Sequence, residues 1–321
     1  MKKQRNIPIE LEGKTFLDPK YDPAFQELFS EKDTLKHFLN GILHLEGSDA
    51  IQDLEYRTPD IRFGLPDPKL VRFDVLAQCQ SGELVNIEMQ RAKHSFFKDR
   101  AILYGAMLAI QAKKNLERNN VNENKDLLGN FRYQMPKVIS VWICNFKLES
   151  NSIEYHDEWS VYSKQSLKQG IILPVSNVLK YIFIELPNFR KSLNELITVE
   201  DKWLYALKNM GDEEESPSLN DSIVQKAYDR LRVHTNPLEI LSKQVENMLT
   251  EAEIEERLWE NAQKGLQQGL EQGRQQGRKE GHQDGKLEQA HKMAKAMRED
   301  GISTARIAAY SGLTEKEILA L

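Results

Sequence analysis

The alternation of apolar and polar residues over residues 71–92 predicts a β-hairpin with a polar face. Both arms are rich in Val, Leu, Ile and Phe, and the turn signal Gln-Ser-Gly at 80–82 separates them. In the second arm Glu88 and Gln90 occupy alternate positions, so both side chains point to the same face of the strand. The hairpin therefore presents charged and amide groups where a core strand would present apolar ones.

The turn sets the register of this hairpin. If Gly82 is the left-handed residue of a three-residue turn, Asp74 lies opposite Glu88 and Arg72 lies opposite Gln90. Directly opposed residues have Cβ atoms roughly 4.5–5.5 Å apart, so two carboxylates there repel each other unless a cation lies between them.

Two interpretations of the opposed carboxylates are open. Mg²⁺ takes oxygen ligands from one or two carboxylates plus substrate phosphates, and Asp74 and Glu88 can supply the two carboxylates. Asp is depleted in strands and an unpaired buried carboxylate is costly, which favours such a site. The alternative is a solvent-facing sheet surface that carries Asp, Glu and Gln without binding anything.

The rest of the pattern up to residue 190 predicts an α/β core. After a charged and loose stretch over 1–20, apolar residues recur at helical spacing from Pro23, as in a helix or helix pair. An Asn-rich polar stretch at 117–133 predicts a mobile loop. Further elements are expected as a helix over 96–116 and strands over 51–58, 137–146, 153–162 and 178–186. This order is typical of a mixed central sheet flanked by helices.

The C-terminal part is predicted to be helical. An acidic segment at 211–217 interrupts the helical pattern and is interpreted as an exposed linker. Glycines then recur every four residues over 265–285, and each costs a helix about 0.5–1 kcal/mol relative to Ala. Two interpretations remain: a helix stabilised by self-association or by nucleic acid, and a fluctuating polar linker. Three short helices are expected over 290–299, 303–311 and 314–320, as a packing module or a helix-turn-helix.

Composition excludes several function classes. The 321 residues are 40% hydrophobic, enough for a real core, and the net charge of −5 argues against nonspecific coating of nucleic acid. No run approaches the ~20 apolar residues of a membrane span, and polar residues follow the basic N-terminus. We therefore expect a cytoplasmic protein without a membrane partner.

Motif searches point away from other chemistries. The seven histidines show no HExxH spacing and no pairing with cysteine, which removes zinc hydrolases from contention. Neither a P-loop nor a dinucleotide-binding glycine motif occurs. The two cysteines, Cys79 and Cys144, fall in strand-like runs and are expected to be buried free thiols.

Several motifs together carry a family resemblance. Asp74, followed on the next strand by Glu88-Met89-Gln90, and a helix bearing Arg100 and Tyr104 resemble the PD-(D/E)XK nuclease superfamily. More narrowly, the chain resembles the bacterial recombination-promoting nuclease and transposase family, over most of residues 15–190 and in its glycine-periodic tail. The segments that add to the likeness are KYDPAF at 20–25, NIEMQ at 86–90 and PKVIS at 136–140.

The resemblance implies a restriction-endonuclease-like α/β core with a mixed central β-sheet flanked by helices, followed by a helical C-terminal extension. It implies a metal-dependent DNA endonuclease that hydrolyses phosphodiester bonds, linked to DNA recombination or transposition. Asp74 and Glu88 would bind Mg²⁺ or Mn²⁺, and Gln90 would position the attacking water. Gln90 stands where this superfamily usually has Lys, which removes a charge that helps catalysis.

Four further residues have both a functional and a structural interpretation. Asp22 or Glu27 is expected to add an acidic metal ligand, or else is a helix cap and a solvated side chain. Arg100 and Tyr104 are expected to contact DNA through a phosphate and a base, or else belong to an amphipathic helix packed on the sheet.

We expect three segments: a nuclease-like domain over 1–195, a helical region with the acidic linker over 196–255, and the glycine-periodic tail with its end module over 256–321. DNA is the expected partner, and the tail is a candidate for homo-oligomerisation. The rival interpretation, motivated by Gln90, is a catalytically weak or inactive DNA-binding or assembly protein that keeps the nuclease fold.

Overall fold

A mixed sheet of six strands lies at the centre of the fold. The computed structural model describes residues 7–61, 71–122, 133–149, 151–174 and 177–321. In chain order the strands are β1 (Leu54–Tyr56), β2 (Asp60–Ile61), β3 (Val71–Arg72), β4 (Val75–Cys79), β5 (Leu84–Gln90), β6 (Val138–Cys144), β7 (His156–Trp159) and β8 (Leu179–Glu185). The main sheet has the order β1-β4-β5-β6-β8-β7, while β2 and β3 pair separately. β5, β6 and β8 run parallel, and the other pairs are antiparallel.

Helices cover both faces of this sheet, which confirms the predicted α/β class. They are α1 (Asp22–Leu28), α2 (Lys32–Ile42), α3 (Phe97–Asn122), α4 (Lys164–Lys168), α5 (Val199–Asn209), α6 (Ser222–Arg230), α7 (Leu238–Glu299), α8 (Thr304–Ser311) and α9 (Glu315–Ala320). On one face the main apolar core joins the sheet to α1, α2, α5 and α6. On the other face α3 packs against two smaller apolar clusters.

The alternation along each strand decides which residues meet which helices. Glu88 pairs with Trp142, and Trp142 pairs with Phe183, so these residues share the face covered by α3. Ile87 and Ile184 lie on the opposite face, in the main core. Helices on both faces explain why β6 reads as a nearly continuous apolar run.

The hairpin of β4 and β5 has the register that the sequence predicts. Val75 pairs with Ile87, and the Cys79 amide donates a hydrogen bond to the Glu83 carbonyl oxygen at 2.9 Å. Gly82 has φ +88°, the left-handed conformation that the predicted turn requires. The turn and the period of two therefore determine this register locally.

The prediction that the first arm continues without interruption from residue 71 is wrong. The paired ladder ends at Val75, because the chain bends at Asp74. Arg72 pairs with Asp60 of β2, not with Gln90. The bend leaves the Asp74 side chain at the end of the ladder.

The other predicted elements are present with different ends. The strands expected over 51–58, 137–146, 153–162 and 178–186 appear as the shorter β1, β6, β7 and β8. α3 continues to Asn122, into the stretch predicted to be a loop, and residues 123–132 of that stretch lie outside the described residues. Both cysteines are buried free thiols, as expected.

Two polar segments pack more closely than their composition suggests. In the stretch expected to be loose, Phe16 and Leu17 are buried in the main core, and the Leu17 amide donates to the Leu231 carbonyl oxygen at 2.8 Å. In the predicted acidic linker, Gly211 is buried and Glu213 accepts a hydrogen bond from the Tyr228 hydroxyl at 2.6 Å. In both segments a few buried apolar residues or a buried glycine fix the chain against the core, although the surrounding residues are charged.

The chain divides into two compact units, residues 1–249 and 250–321. The first unit extends past the boundary expected at residue 195, because Trp203 of α5 and Tyr228 of α6 are buried in the same core as the sheet. The three-segment division by function stays a prediction.

In the second unit, the glycine-periodic stretch is helical and belongs to α7. The helix expected over 290–299 is the end of that long helix, not a separate element. α8 and α9 follow it, and they pack on its end through a small apolar core formed by Ala294, Ile307, Leu313 and Ile318. Within the described part of the chain, no helix has the length and apolar character to cross a membrane.

Candidate active site

The two carboxylates predicted to face each other meet at the end of the β4–β5 hairpin. The Asp74 amide donates to Glu88 Oε1 at 3.3 Å, and the Met89 amide donates to Asp74 Oδ2 at 2.8 Å. The bend at Asp74 therefore uses β5 to hold both carboxyl groups in place. This arrangement follows from the local register and from the break in the strand.

Glu88 is buried completely, beneath α3. Its Oε2 atom accepts no hydrogen bond from the described residues, and Arg100 Nη2, with which it forms a long ion pair, lies 3.9 Å away. A buried carboxylate oxygen without a donor is costly unless a cation binds it. Burial also rules out the alternative interpretation of a solvent-facing sheet surface.

The carboxyl groups have raised pKa values. Burial, and then the charge of Asp74, raise the pKa of Glu88 well above its ordinary value. Burial, and then the charge of Asp22, raise the pKa of Asp74 to about 7. Desolvation at the pocket wall also raises the pKa of Asp22, against the lowering effect of Arg100 and Arg72. The nearby arginines do not outweigh the burial of these carboxyls, and a divalent cation would add positive charge among them.

An open pocket of about 540 Å³ lies in front of these groups. Asp22 and Asp74 line it, while Glu88 and Gln90 are almost fully buried behind it. The pocket also contains positive and neutral donors suited to phosphate: Arg72, Arg100, Tyr104, Lys243 and Asn247.

Arg100 connects the pocket to the buried residues. Its Nη1 donates to Gln90 Oε1 at 3.2 Å, and its Nη2 donates to the Tyr104 hydroxyl at 3.2 Å. Tyr104 in turn packs edge-on against Phe73, with ring centroids 5.2 Å apart. The Arg100 side chain keeps 38% of its surface exposed, so it can contact a ligand while it orients the Gln90 amide.

The structure distinguishes the two candidates for an additional acidic ligand. Asp22, in the first turn of α1, reaches the pocket. Glu27 is in the last turn of the same helix, and its Oε1 lies 3.9 Å from Arg230 Nη1. Glu27 does not line the pocket. It lies five residues after Asp22, and this spacing places its side chain on a different face of α1.

Three residues that line the pocket are not predicted from the sequence to do so. Arg72 was expected to face Gln90 in the ladder, and the bend at Asp74 turns it to the pocket. Lys243 and Asn247 lie one turn apart on α7, far along the chain from the hairpin. Their i, i+4 spacing shows that they share a helix face, but nothing in the sequence indicates what that face meets.

Comparisons with known proteins agree with this geometry. A family model described as PD-(D/E)XK nuclease family transposase matches residues 19–269, which include every residue of the pocket. No curated protein and no solved structure matches the chain. The match also covers the hairpin, α3 and the beginning of the glycine-periodic stretch.

Proposed function

The chain belongs to the PD-(D/E)XK nuclease family transposases, as its resemblance predicts, and from this premise we propose that it is a metal-dependent DNA endonuclease. The observation that carries the proposal is the unsatisfied Oε2 of Glu88, buried next to Asp74 at the back of an open polar pocket. Oxygen ligands from two carboxylates are the donors that Mg²⁺ and Mn²⁺ prefer.

The bound cation would activate a water molecule and neutralise charge on the scissile phosphate. Asp74 and Glu88 would hold it, and Asp22 is the further acidic group that lines the same pocket. Gln90, oriented by the hydrogen bond from Arg100, positions the water through its amide. With no lysine in this role, the nearby positive charge comes from Arg100.

DNA would lie along the pocket's basic wall. Arg72, Arg100 and Lys243 can each contact a phosphate oxygen, and Tyr104 offers a hydroxyl and a ring face. The whole chain has a net charge of −5, so binding depends on this local group of cations and on the metal. The family supports a setting of DNA recombination or transposition.

The rival proposal is a DNA-binding or assembly protein that retains the fold with little or no turnover. It is favoured by Gln90, an uncharged group that cannot act as the usual lysine does. The exposed helix of the second unit, with its glycines over 265–285, would then serve self-association or DNA binding.

A cleavage assay separates the two. We expect the full-length protein to cut DNA with Mg²⁺ or Mn²⁺ and to be inactive with a chelator, whereas Asp74→Asn and Glu88→Gln lose cleavage. Glu55→Gln is the matched control, because Glu55 is an exposed residue of β1 outside the pocket lining. Calorimetry of Mn²⁺ binding to the same proteins provides the second measurement.

The outcomes are distinct. Metal-dependent cleavage that both pocket variants lose, and the control keeps, supports the nuclease. Salt-sensitive DNA binding without any cleavage by the parent supports the rival, and Mn²⁺ binding that the parent shows and Glu88→Gln lacks counts against it. Equal cleavage by the parent and by Glu88→Gln contradicts the assigned site.

A further inference from the structure

A second group of metal-ligating side chains lies away from the pocket. It consists of His44, which follows α2, His156 at the start of β7, and Glu200 in the first turn of α5. His44 Nε2 lies 3.0 Å from Glu200 Oε2, and His156 Nδ1 lies 2.5 Å from Glu200 Oε1. One ligand atom from each residue lies within 4.8 Å of the others.

This group is separate from the nuclease pocket. His156 pairs with Ile184, whose side chain is in the main core, whereas Glu88 belongs to the face covered by α3. Two strands, β6 and β8, lie between β5 and β7 in the sheet. The two sites are therefore on opposite faces and at different places across the sheet.

The Glu200 carboxylate is almost fully buried between the two imidazoles. Burial raises the pKa of Glu200, but hydrogen bonds and charge from His156 and His44 outweigh it and hold the pKa below its ordinary value. Each of its two oxygens is directed at a different imidazole. The ring centroids are 5.3 Å apart, and one ligand nitrogen from each ring lies within 4.8 Å of the other and of a Glu200 oxygen.

The backbone around His44 brings its imidazole close to the Glu200 carboxylate. His44 has φ +52°, a left-handed conformation that residues other than Gly and Asn rarely adopt at the end of a helix. Gly41 lets α2 approach α5 closely, since a Cβ there would lie 2.7 Å from Val199 Cγ1. The left-handed turn at His44 and the close approach of α2 to α5 at Gly41 together bring the His44 imidazole to the Glu200 carboxylate.

We propose that His44, His156 and Glu200 bind Zn²⁺ and thereby tie the edge strand β7 to α2 and α5. Two imidazoles and a carboxylate are donors that Zn²⁺ accepts, with a fourth position left for water. Ligand atoms on a tetrahedral Zn²⁺ are roughly 3.3 Å apart, given bond lengths of about 2.0–2.1 Å. The ligand atoms here lie within 4.8 Å of one another, so Zn²⁺ binding requires them to move closer, and the His44 side chain, 65% exposed, has room to do so.

The test uses full-length protein in a Glu88→Gln background, so that the carboxylate pocket does not contribute. Metal-free protein is titrated with Zn²⁺ against a chromophoric chelator, and bound zinc is counted by atomic emission. We expect one Zn²⁺ per chain and a rise in melting temperature of about 5–10 °C when free Zn²⁺ is about 100 times the dissociation constant. Co²⁺ in the same site should give the visible absorption of a four-coordinate ion.

The variants are His44→Gly and Glu200→Gln, with His282→Gly, an exposed histidine of α7, as the control. Glycine suits the left-handed position, so His44→Gly removes the ligand without straining the backbone. Mutating a residue that only hydrogen-bonds to a metal ligand lowers metal affinity about 10–100-fold. Both site variants remove a direct ligand, so their Zn²⁺ affinity should fall by more than this, whereas His282→Gly should leave the affinity unchanged. Absence of bound Zn²⁺, or binding that both site variants retain, overturns the proposal.

Discussion

Replacing Asp74 by Asn should stabilise the metal-free protein, increasingly so as the pH rises. The pKa of Asp74 is raised from 3.8 to about 7, chiefly by burial and then by the charge of Asp22. A carboxyl whose pKa is raised by folding contributes stability that is complete below its unfolded pKa and is lost as the pH passes its folded pKa. The stability that the protonated Asp74 carboxyl contributes to the parent protein is therefore lost between about pH 4 and pH 7.

The size of the effect follows from the shift. A difference of about three pKa units at 1.36 kcal/mol each amounts to about 4 kcal/mol at pH 8. Asp74 keeps partial access to water, which reduces the expected effect to about 2–4 kcal/mol. Asn keeps an oxygen to accept the hydrogen bond from the Met89 amide, so the bend should persist.

Urea unfolding of the parent and of Asp74→Asn, with a chelator present, measures this difference at pH 5 and pH 8. We expect the difference in free energy of unfolding between the variant and the parent to be about 2 kcal/mol larger at pH 8 than at pH 5. Added Mg²⁺ should reduce this difference, because it stabilises only the parent. Asp49→Asn, at an exposed site outside the pocket, is the control and should show no such dependence. An advantage that is equal at both pH values, or a loss of stability at pH 8, would refute the reasoning.

Two glycine substitutions test the packing in opposite directions. Gly105→Ala on α3 puts a Cβ 2.5 Å from the Tyr181 hydroxyl oxygen, so the Tyr181 side chain must shift; this overpacking, about 1–3 kcal/mol, is offset by the about 0.5–1 kcal/mol of helix propensity that Ala gains, and a urea midpoint raised by the full propensity gain would contradict the close contact. Gly277→Ala on α7 meets nothing within 4 Å and should stabilise the exposed helix by about 0.5–1 kcal/mol. Slower amide hydrogen exchange around residue 277, without a change at α3, is the expected result, and faster exchange there would count against a helix.

Much of the site could be predicted because its determinants are local. The register of β4 and β5 depends on a turn of three residues and on a side-chain period of two, and both can be recognised in the sequence. Asp74 and Glu88 therefore came together as expected. The likeness to a nuclease family rested on the same residues, and the family model now supports it.

Other features depend on packing between distant segments, for which the sequence carries no local signal. The strand breaks at Asp74 because its amide bonds to a Glu88 side chain that α3 keeps buried. Lys243 reaches the pocket because the beginning of α7 packs on the same unit as the hairpin. No zinc motif is recognisable along the chain, because His44, His156 and Glu200 converge from three separate elements.

The sequence by itself determined the strand order of the hairpin, the opposed carboxylates and the family, since periodicity, turn type and short motifs act over a few residues. The tertiary structure alone decided that Oε2 of Glu88 is buried without a hydrogen-bond donor among the described residues, that Asp22 and not Glu27 reaches the pocket, and that two histidines share one carboxylate. Burial and charge pairing are properties of segments brought together by the core, so they exist only once the chain has folded.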